Sequence, residues 1–331
     1  MSSPEADVLV IGAGVIGCTI AFELSSAGRR VRVLDGRSPG GGASQASAGV
    51  LAPYVEGHDS RPLRDLGRRS LALYESFLAR VVAASGVEVA FRQAGTIETA
   101  TSDADVARLA RSKATADAEG VAAGWLDASA VREAEPALGS HVAGGLHIGL
   151  HAAVDVPALT RAAALAAGAW AAGLAPAGAE PVPVRPVRGQ LLRLIAAPGT
   201  MHRILWGPDV YLVPWADGTV FVGATSEDVG FEERTTAAGV AGLLARATAL
   251  VPGLAGATFG EARVGLRPGS PDELPFVGAS AALPGLVYAC GHYRNGALLA
   301  PLTASLVAGL VAGTTDDPAL AALAPSRAGR L

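Results

Sequence analysis

The sequence predicts an α/β protein whose amino-terminal part is a strand, a helix and a second, parallel strand. Residues 7–12 (DVLVIG) form an apolar run ending in glycine, which is typical of a strand buried on both faces of a parallel sheet. Residues 18–27 carry apolar side chains at helical spacing, and Gly28 ends that helix. Val31–Leu34 alternates as the second strand and leads into Asp35.

Between the first strand and the helix, residues 12–17 read GAGVIG and fit the pattern G-x-G-x-x-G. Such glycines permit a tight turn, close approach of the main chain to a pyrophosphate, and close helix–strand packing, while the helix N-terminus favours the phosphates. Asp35 follows Gly14 by 21 residues, near the spacing at which a carboxylate reaches a ribose hydroxyl. The unit predicts a dinucleotide site, with a ligand-free Gly-rich turn as the alternative; the motif alone does not choose between FAD and NAD(P). The predicted contacts are Gly12, Gly14, Val15, Ile16, Gly17 and Asp35.

The composition favours a globular protein of one large or two connected domains. Half of the 331 residues are apolar and the net charge is −4, with no cluster of Lys and Arg, so we expect no nucleic-acid partner. Cys18 and Cys290 are the only cysteines and lack metal-like spacing, which favours a cytoplasmic protein without a disulfide framework or a metal site. No signal-peptide pattern opens the sequence. Residues 162–179 and 297–313 lack charge, but buried helices explain them better than membrane spans.

A stretch of small residues follows Asp35. Residues 36–51 read GRSPGGGASQASAGVL, which is a flexible loop or a surface on which a flat ring system lies against main chain. The segment resembles the flavin-contacting loop of the D-amino-acid oxidase superfamily, which favours FAD. The predicted contacts are Gly36, Ala43, Ser44, Ala48, Gly49 and Val50.

Further motifs extend this resemblance along most of the chain in collinear order. They are RPVRGQL at 185–191, YLVP at 211–214, GAT at 223–225, GLRPGSPD at 265–272 and GHYRNGALLAP at 291–301. The last two resemble the glycine oxidases of the thiamine pathway rather than the superfamily at large. The resemblance implies a Rossmann-like FAD-binding domain interleaved with an antiparallel-sheet substrate domain. FAD-binding segments are expected at 1–51, 151–189 and 259–331, and substrate-domain segments at 52–150 and 190–258.

The resemblance also implies the roles of individual residues. FAD should be non-covalent, because Gly265 takes the place of the cysteine to which some relatives attach the flavin. Arg267 and Arg294 should bind the substrate carboxylate, with Tyr211 as a further donor; solvated arginines and a packing tyrosine are the alternatives. The flavin should lie along His292, Tyr293, Arg294, Asn295, Gly296, Ala297 and Leu298. His292 is equally well explained as a core histidine.

The chain departs from the family after residue 155. Arg161, in the family's V-D-P helix, is followed almost at once by the A-G-A-W motif at 167–170, which in relatives ends a later strand. A few dozen residues, including part of the adenosine pocket, therefore look deleted, and Gly168 is the remaining predicted contact there. A returning parallel strand needs a crossover of a dozen or more residues, so we expect one sheet edge to be lost or exposed.

The predicted function is FAD-dependent oxidative deamination of glycine or a small amine to the imine and glyoxylate. Oxygen would be reduced to hydrogen peroxide, and the imine could supply thiazole synthesis. Cofactor chemistry of this kind needs no catalytic side chain, so none is predicted. The alternatives are a D-amino-acid or sarcosine oxidase, or a relic that binds flavin poorly; the sequence leaves homo-oligomer formation open. Apolar spacing predicts helices near 63–84, 103–118 and 237–250 and a strand near 95–98, and the tail after Thr314 is expected to fray.

Overall fold

The computed structural model describes residues 6–56, 60–167 and 182–330. The strands in chain order are β1 Val8–Ile11, β2 Val31–Leu34, β3 Val50–Leu51, β4 Phe91–Arg92, β5 Thr96–Ala100, β6 Ala123–Asp127, β7 Gly144–Ile148, β8 Ala152–Val154, β9 Arg185–Ile195, β10 Ile204–Gly207, β11 Val210–Pro214, β12 Thr219–Gly223, β13 Thr258–Gly269, β14 Phe276–Ala279 and β15 Val287–Cys290. The α-helices are α1 Val15–Ser26, α2 Pro53–Glu56, α3 Arg61–Ser85, α4 Asp103–Ala118, α5 Ala128–Ala134, α6 Val156–Ala167, α7 Ala237–Leu250, α8 Gly296–Ala312 and α9 Ala319–Leu323.

The predicted amino-terminal unit is present. β1 pairs in parallel with β2, and α1 connects them and packs against α6 and α8. Gly17 lies so close to β1 that a Cβ on it would be 1.9 Å from the carbonyl oxygen of Gly12. Only glycine therefore permits this packing of helix on strand.

Capping side chains explain where the predicted helices begin. Ser60, Ser102 and Thr236 each accept a hydrogen bond from a main-chain N–H in the first turn of α3, α4 and α7. Gly86 ends α3 in the left-handed conformation, with φ of 68°. The sequence-based helices at 63–84, 103–118 and 237–250 are confirmed, with an earlier start for α3.

The larger sheet differs in one detail from the expected antiparallel sheet. Its eight strands lie in the order β13-β9-β12-β11-β10-β5-β7-β6, and all neighbours are antiparallel except β10 and β5. These two strands come from distant parts of the chain, so no hairpin turn forces them to run in opposite directions. The architecture is a mixed α/β fold with one large mixed sheet.

Two apolar cores support these layers. The first joins α1, α3, α6 and α8 and includes Tyr74, Phe77 and Leu298; the second lies between the large sheet and α7 and includes Leu212 and Leu243. The division of the chain into FAD-binding and substrate segments stays a prediction, and α3 shares the first core although it lies in the segment 52–150.

One edge of β1 is left without a strand in the described parts of the chain. There β1 pairs only with β2, while β14 and β15 form a separate antiparallel pair. Leu9 and Ile11 each keep 48% of their surface exposed, which is unusual for a strand expected to be buried on both faces. The exposed edge agrees with the deletion expected from the sequence.

The segment after residue 155 also shows what replaces the missing elements. Helix α6 continues through Ala166 and Ala167, so the interpretation of these two residues as the end of a strand is wrong. Only five residues separate Arg161 from Ala167, which is too few for a crossover to a parallel strand. The Ala/Leu-rich sequence continues the helix instead. Gly168 and the rest of this motif lie outside the described residues.

The carboxyl-terminal tail is ordered, contrary to the expectation of fraying. α9 and a 3-10 turn at 325–330 follow Thr314, and Leu323 is 2% exposed. Arg327 forms an ion pair with Asp272 at 2.9 Å and stacks 3.8 Å from the ring centroid of Phe276. These contacts anchor the tail to β14. Across the described ranges, no helix is long and apolar enough to cross a membrane.

Candidate active site

A cavity of about 550 Å³ runs from the Gly-rich turn after β1 to the start of α8. Most of the predicted cofactor and substrate residues line it. They are Gly12, Gly14, Val15, Ile16, Gly17, Ala43, Ser44, Ala48, Gly49, Val50, Tyr211, Arg267, His292, Tyr293, Arg294, Gly296 and Ala297. Residues distant in sequence therefore form one concave surface.

The Gly-rich turn is held by Asp35. Gly12 has φ of 104°, and its neighbour Ala13 donates its N–H to Asp35 Oδ2 at 2.7 Å. The other oxygen of Asp35 accepts the N–H of Arg37 at 2.8 Å. Asp35 does not line the cavity, so in this structure its contact is with the turn itself, and Gly36 likewise lies outside the cavity wall.

The small-residue loop closes over the amino end of α1. Ser44 Oγ accepts the N–H of Val15 at 2.9 Å, where Gly14 supplies no capping side chain. Gly49 has φ of 73°, and a Cβ there would be 1.8 Å from the carbonyl oxygen of Val154. A Cβ on Gly265 would meet Ala43 Cα at 3.0 Å. The loop thus packs main chain against main chain, and larger side chains would displace it.

These residues fit a dinucleotide. Gly14 leaves an open approach to the first N–H groups of α1, because a Cβ there would reach 3.4 Å from Ser44 Oγ and narrow the passage. Small residues line the wall between this turn and α8, where a planar ring system needs room. Across the described residues no group of three or more His, Cys, Asp and Glu side chains could hold a metal ion.

Arg267 lies on β13 at the cavity. Its Nη1 donates to the carbonyl oxygen of Thr225 at 2.9 Å. The guanidinium covers Gly189 of the neighbouring strand β9, so closely that a Cβ on this glycine would be 2.3 Å from Arg267 Cζ. The side chain is only partly exposed, and its planar guanidinium presents several N–H donors. Its surroundings are suited to a carboxylate ligand.

Tyr211 lies on β11 of the same sheet, separated from β13 by the two strands β9 and β12. Its ring stacks on Trp206 with centroids 4.8 Å apart, and the ring also covers Gly223 of β12. A Cβ on Gly223 would be 2.3 Å from the phenolic oxygen. Tyr211 therefore packs against its neighbours and also forms part of the cavity wall.

Tyr293 lies near the positive charges of Arg267 and Arg294, just before the N-terminus of α8. It has φ of 46°, and its hydroxyl is 3.4 Å from Ser226 Oγ. Burial alone would raise its pKa, but hydrogen bonds with Ser226 and Arg294 and the charges of Arg294 and Arg267 lower the pKa below its ordinary value. The two arginines therefore act on the same tyrosine, although Arg294 is itself exposed and lies over the Tyr293 ring at 5.3 Å.

His292 is a core histidine that also borders the cavity. It is 2% exposed, and its Nε2 lies 2.9 Å from Thr303 Oγ1. Burial lowers the pKa of His292 to about 3, so the imidazole is neutral at physiological pH. Both interpretations made from the sequence are compatible with this position.

The first turn of α8 has no side-chain cap. Asn295 is the N-cap but makes no side-chain capping bond, and Gly296 and Ala297 reach the cavity wall. Asn295 is 2% exposed and does not line the cavity. Leu298 points into the first core, 3.0 Å from where a Cβ on Gly67 would be. The free N–H groups of this turn face the end of the cavity where Gly296 lies.

Comparison with known proteins identifies the family. The profile of the family described as "DAO: FAD dependent oxidoreductase" matches residues 7–166 and 160–310. The chain belongs to this family. The two matched stretches overlap at 160–166, the region in which the sequence predicts a deletion. This FAD-dependent oxidoreductase therefore keeps the family pattern on both sides of that region.

Individual relatives cover nearly all of the flavoprotein chain. The bifunctional protein ThiO/ThiG of Nostoc sp. is 34% identical over 358 aligned residues, which include 95% of this chain but 54% of the relative. The chain thus spans about half the length of the bifunctional relatives that it matches. The glycine oxidase of Geobacillus kaustophilus is 32% identical, with 92% of each chain covered.

Solved structures agree with the fold of this oxidoreductase. The crystal structure of glycine oxidase from Geobacillus kaustophilus superposes with a TM-score of 0.92 and 31% identity, covering 97% of this chain and 98% of that one. The crystal structure of iminodiacetate oxidase from Chelativorans sp. superposes with a TM-score of 0.83 and 27% identity, covering 96% of this chain and 98% of that one.

Sequence reasoning missed several residues beside Arg267 and Tyr211 in this FAD-dependent oxidoreductase. Gly189 and Gly223 lie under the two side chains. The carbonyl oxygen of Thr225 accepts a hydrogen bond from Arg267, and Glu227 accepts one from the hydroxyl of Thr225. Gly189, Gly223 and Thr225 occur in the motifs RPVRGQ and GAT, which marked the family without revealing a role. Their positions depend on strand register, which the sequence does not show.

Proposed function

We propose that the chain oxidises glycine, or another small amine or amino acid, to the imine with reduction of oxygen to hydrogen peroxide. The observation that supports this most is the position of Arg267 and Tyr211 on the cavity that the Gly-rich turn, the small-residue loop and α8 enclose. The names of the glycine oxidase relatives support the same substrate class. Hydrolysis of the imine gives glyoxylate, and the imine itself can supply thiazole synthesis for thiamine.

The chain's own residues would place the substrate. Arg267 would bind one or both carboxylate oxygens, with Tyr211 as a second donor and Arg294 as a further positive charge at the cavity. Bound FAD would supply the hydride acceptor and the route of electrons to oxygen. Holding the carboxylate fixes the position of the α-carbon, which is the contribution that orientation makes to such a reaction.

Other residues of the site would act on the cofactor. The N–H groups at the start of α8 would stabilise negative charge that develops on the bound ring system. Burial lowers the pKa of His292 to about 3, so its neutral imidazole contributes no positive charge there and leaves this role to the N–H groups. Asp35, Ser44 and the Gly-rich turn would hold the dinucleotide, and Gly265 offers no thiol for covalent attachment.

The shortened segment favours a second candidate. The described residues leave one edge of β1 without a partner strand. The family resemblance implies that part of the adenosine pocket is missing from this sequence. A flavoprotein that holds FAD weakly, with little turnover, would have the same substrate residues. D-alanine and sarcosine are the competing substrates among active enzymes.

The visible absorption spectrum of the purified protein, reconstituted with FAD, tests these proposals. A flavin band that bleaches when glycine is added without oxygen supports the oxidase, and release of the colour by denaturation supports non-covalent binding. A protein that stays colourless after reconstitution contradicts the proposal of an active oxidase. It supports the second candidate, a flavoprotein that holds FAD weakly. Initial rates with glycine, D-alanine and sarcosine then rank the substrates.

A further inference from the structure

Two glycines lie beneath the side chains proposed to hold the substrate. In the large sheet Gly189 of β9 is opposite Gly265 of β13, so Arg267 is its diagonal neighbour on the same face. Gly223 of β12 is opposite both Leu191 and Tyr211. Because side chains alternate along each strand, Gly189, Leu191, Gly223 and Tyr211 share one face of the sheet. That face borders the cavity, since Gly189, Tyr211 and Arg267 all line it.

The guanidinium of Arg267 occupies the space that a side chain at position 189 would need. A Cβ on Gly189 would be 2.3 Å from Nη2 and 2.4 Å from Nη1 of Arg267. Heavy atoms do not approach so closely, and therefore any other residue at 189 would displace the guanidinium. The flat guanidinium lies directly on the main chain of β9.

The side chain of Arg267 has little freedom to move aside for a larger residue at position 189. Its Nη1 is bonded to the carbonyl oxygen of Thr225 at 2.9 Å. The hydroxyl of Thr225 accepts the N–H of Gln190 at 2.8 Å and donates to Glu227 Oε1 at 2.5 Å. Glu227 in turn accepts from Arg188 Nη2 at 2.6 Å. The acceptor of Arg267 is thus tied to β9, the strand that carries Gly189.

Tyr211 repeats this arrangement on Gly223. A Cβ on Gly223 would be 2.2 Å from Cζ and 2.3 Å from the phenolic oxygen. The ring also stacks on Trp206, with centroids 4.8 Å apart. A methyl group beneath the ring would therefore move the hydroxyl towards the cavity or break the stacking.

We propose that Gly189 and Gly223 are positioning residues for the substrate carboxylate, because they let Arg267 and Tyr211 lie flat on the sheet and leave room above them. This inference rests on the proposed function and names the residues that set the height of its carboxylate site. Neither glycine touches the substrate. Each acts through the side chain that covers it.

The substitutions Gly189→Ala and Gly223→Ala test the proposal, with Gly124→Ala on β6 as a matched strand control whose Cβ would meet nothing within 4 Å. Acetate is titrated into each FAD-loaded protein, and its dissociation constant is read from the change in the flavin absorption spectrum. We expect the constant to rise about tenfold or more in the first two variants, as for loss of one charge-assisted hydrogen bond. KM for glycine should rise in parallel, more than kcat falls, while Gly124→Ala stays at the parent values.

A double-mutant cycle separates positioning from a general loss of stability. Arg267→Lys removes the planar fork, so it should weaken acetate binding less in the Gly189→Ala background than in the parent. Additive losses would contradict coupling between Gly189 and Arg267. If Gly189→Ala does not fold, the corresponding cycle of Gly223→Ala with Tyr211→Phe tests the proposal at the second pair, and additive losses there would contradict it.

The outcomes distinguish this inference from the proposed function. A parent protein that binds FAD but neither acetate nor glycine would overturn both. A parent that binds acetate, with unchanged constants in all the glycine variants, would overturn the positioning role alone. Equal losses in the Gly124→Ala control would also overturn it, since they would reflect a general effect of adding a methyl group to a strand.

Discussion

The hydroxyl of Tyr74 donates a hydrogen bond to the carbonyl oxygen of Ala297, the first-turn group that Pro301 leaves without a helical partner. Proline has no N–H, so position 301 cannot bond to the carbonyl four residues earlier. Ser70 Oγ accepts the N–H of Leu302 at 3.2 Å in the same region. Helix α3 thus completes the hydrogen bonding of α8 where α8 borders the cavity, and burial raises the pKa of Tyr74 well above its usual range.

We expect Tyr74→Phe to lower the free energy of unfolding by about 1–3 kcal/mol, because it leaves the buried carbonyl of Ala297 without a donor. Urea denaturation followed by circular dichroism measures the change. Pro301→Ala restores an N–H to the helix, so the tyrosine substitution should cost less in that background. An equal cost in both backgrounds would assign the loss to packing of the ring instead.

Asp35→Ala should weaken FAD binding about tenfold or more. The substitution removes the acceptors for the N–H groups of Ala13 and Arg37, and the Gly-rich turn loses a charge-assisted hydrogen bond. Quenching of FAD fluorescence on titration gives the dissociation constant. Asp7→Ala is the matched control, because this carboxylate also accepts a main-chain N–H at a strand end, but from Arg30 and away from the cavity. Equal effects of both substitutions would contradict a specific role for Asp35.

The edge of β1 that has no partner strand among the described residues should promote self-association. Leu9→Lys places a charge beside that edge, where Leu9 also lines the cavity, and should reduce concentration-dependent association in sedimentation velocity, because charged residues oppose edge-to-edge pairing. Phe231→Lys is the control, since Phe231 is 85% exposed but lies outside any strand. If the Phe231 substitution has the larger effect, exposed apolar surface rather than the strand edge controls association.

Acid should destabilise the folded chain through His151. Its Nε2 accepts the N–H of Tyr54 at 3.4 Å, so Nδ1 carries the proton and donates to Thr96 Oγ1 at 2.8 Å. Burial lowers the pKa of His151 from 6.5 to about 3. Between these two pKa values the unfolded chain binds a proton at His151 that the folded chain does not bind. The contribution of His151 to the free energy of unfolding is therefore complete above pH 6.5 and is lost as the pH falls towards 3.

His151→Gln should reduce the slope of unfolding free energy against pH between about 6 and 4, by up to about 1.4 kcal/mol per pH unit. Urea titrations at several pH values measure the slope. His141→Gln, at an exposed position, is the matched control substitution. An unchanged slope in the His151 variant would show that other groups cause the acid sensitivity.

Local patterns predicted the regular elements well. The βαβ unit, α4, α7 and β5 follow from apolar spacing together with capping and breaking residues, which act within a few positions of one another. The prediction that the carboxyl-terminal tail frays was wrong, because Leu323 packs against β14 and Arg327 pairs with Asp272. No local sequence pattern reveals these contacts. The parallel pairing of β5 with β10 was missed for the same reason.

By itself the sequence indicated the family, the Gly-rich turn, the candidate residues Arg267, Tyr211 and Arg294, and a deletion after residue 155. The Gly-rich turn follows from residue types at fixed spacing, because local backbone chemistry depends on near neighbours. The family, the candidate residues and the deletion follow from motifs that resemble those of the D-amino-acid oxidase superfamily. Only the tertiary structure decided that Gly189 and Gly223 lie under Arg267 and Tyr211, and that one edge of β1 lacks a partner among the described residues. Strand register and the packing of distant segments set these contacts, and neither can be obtained from spacing along the chain.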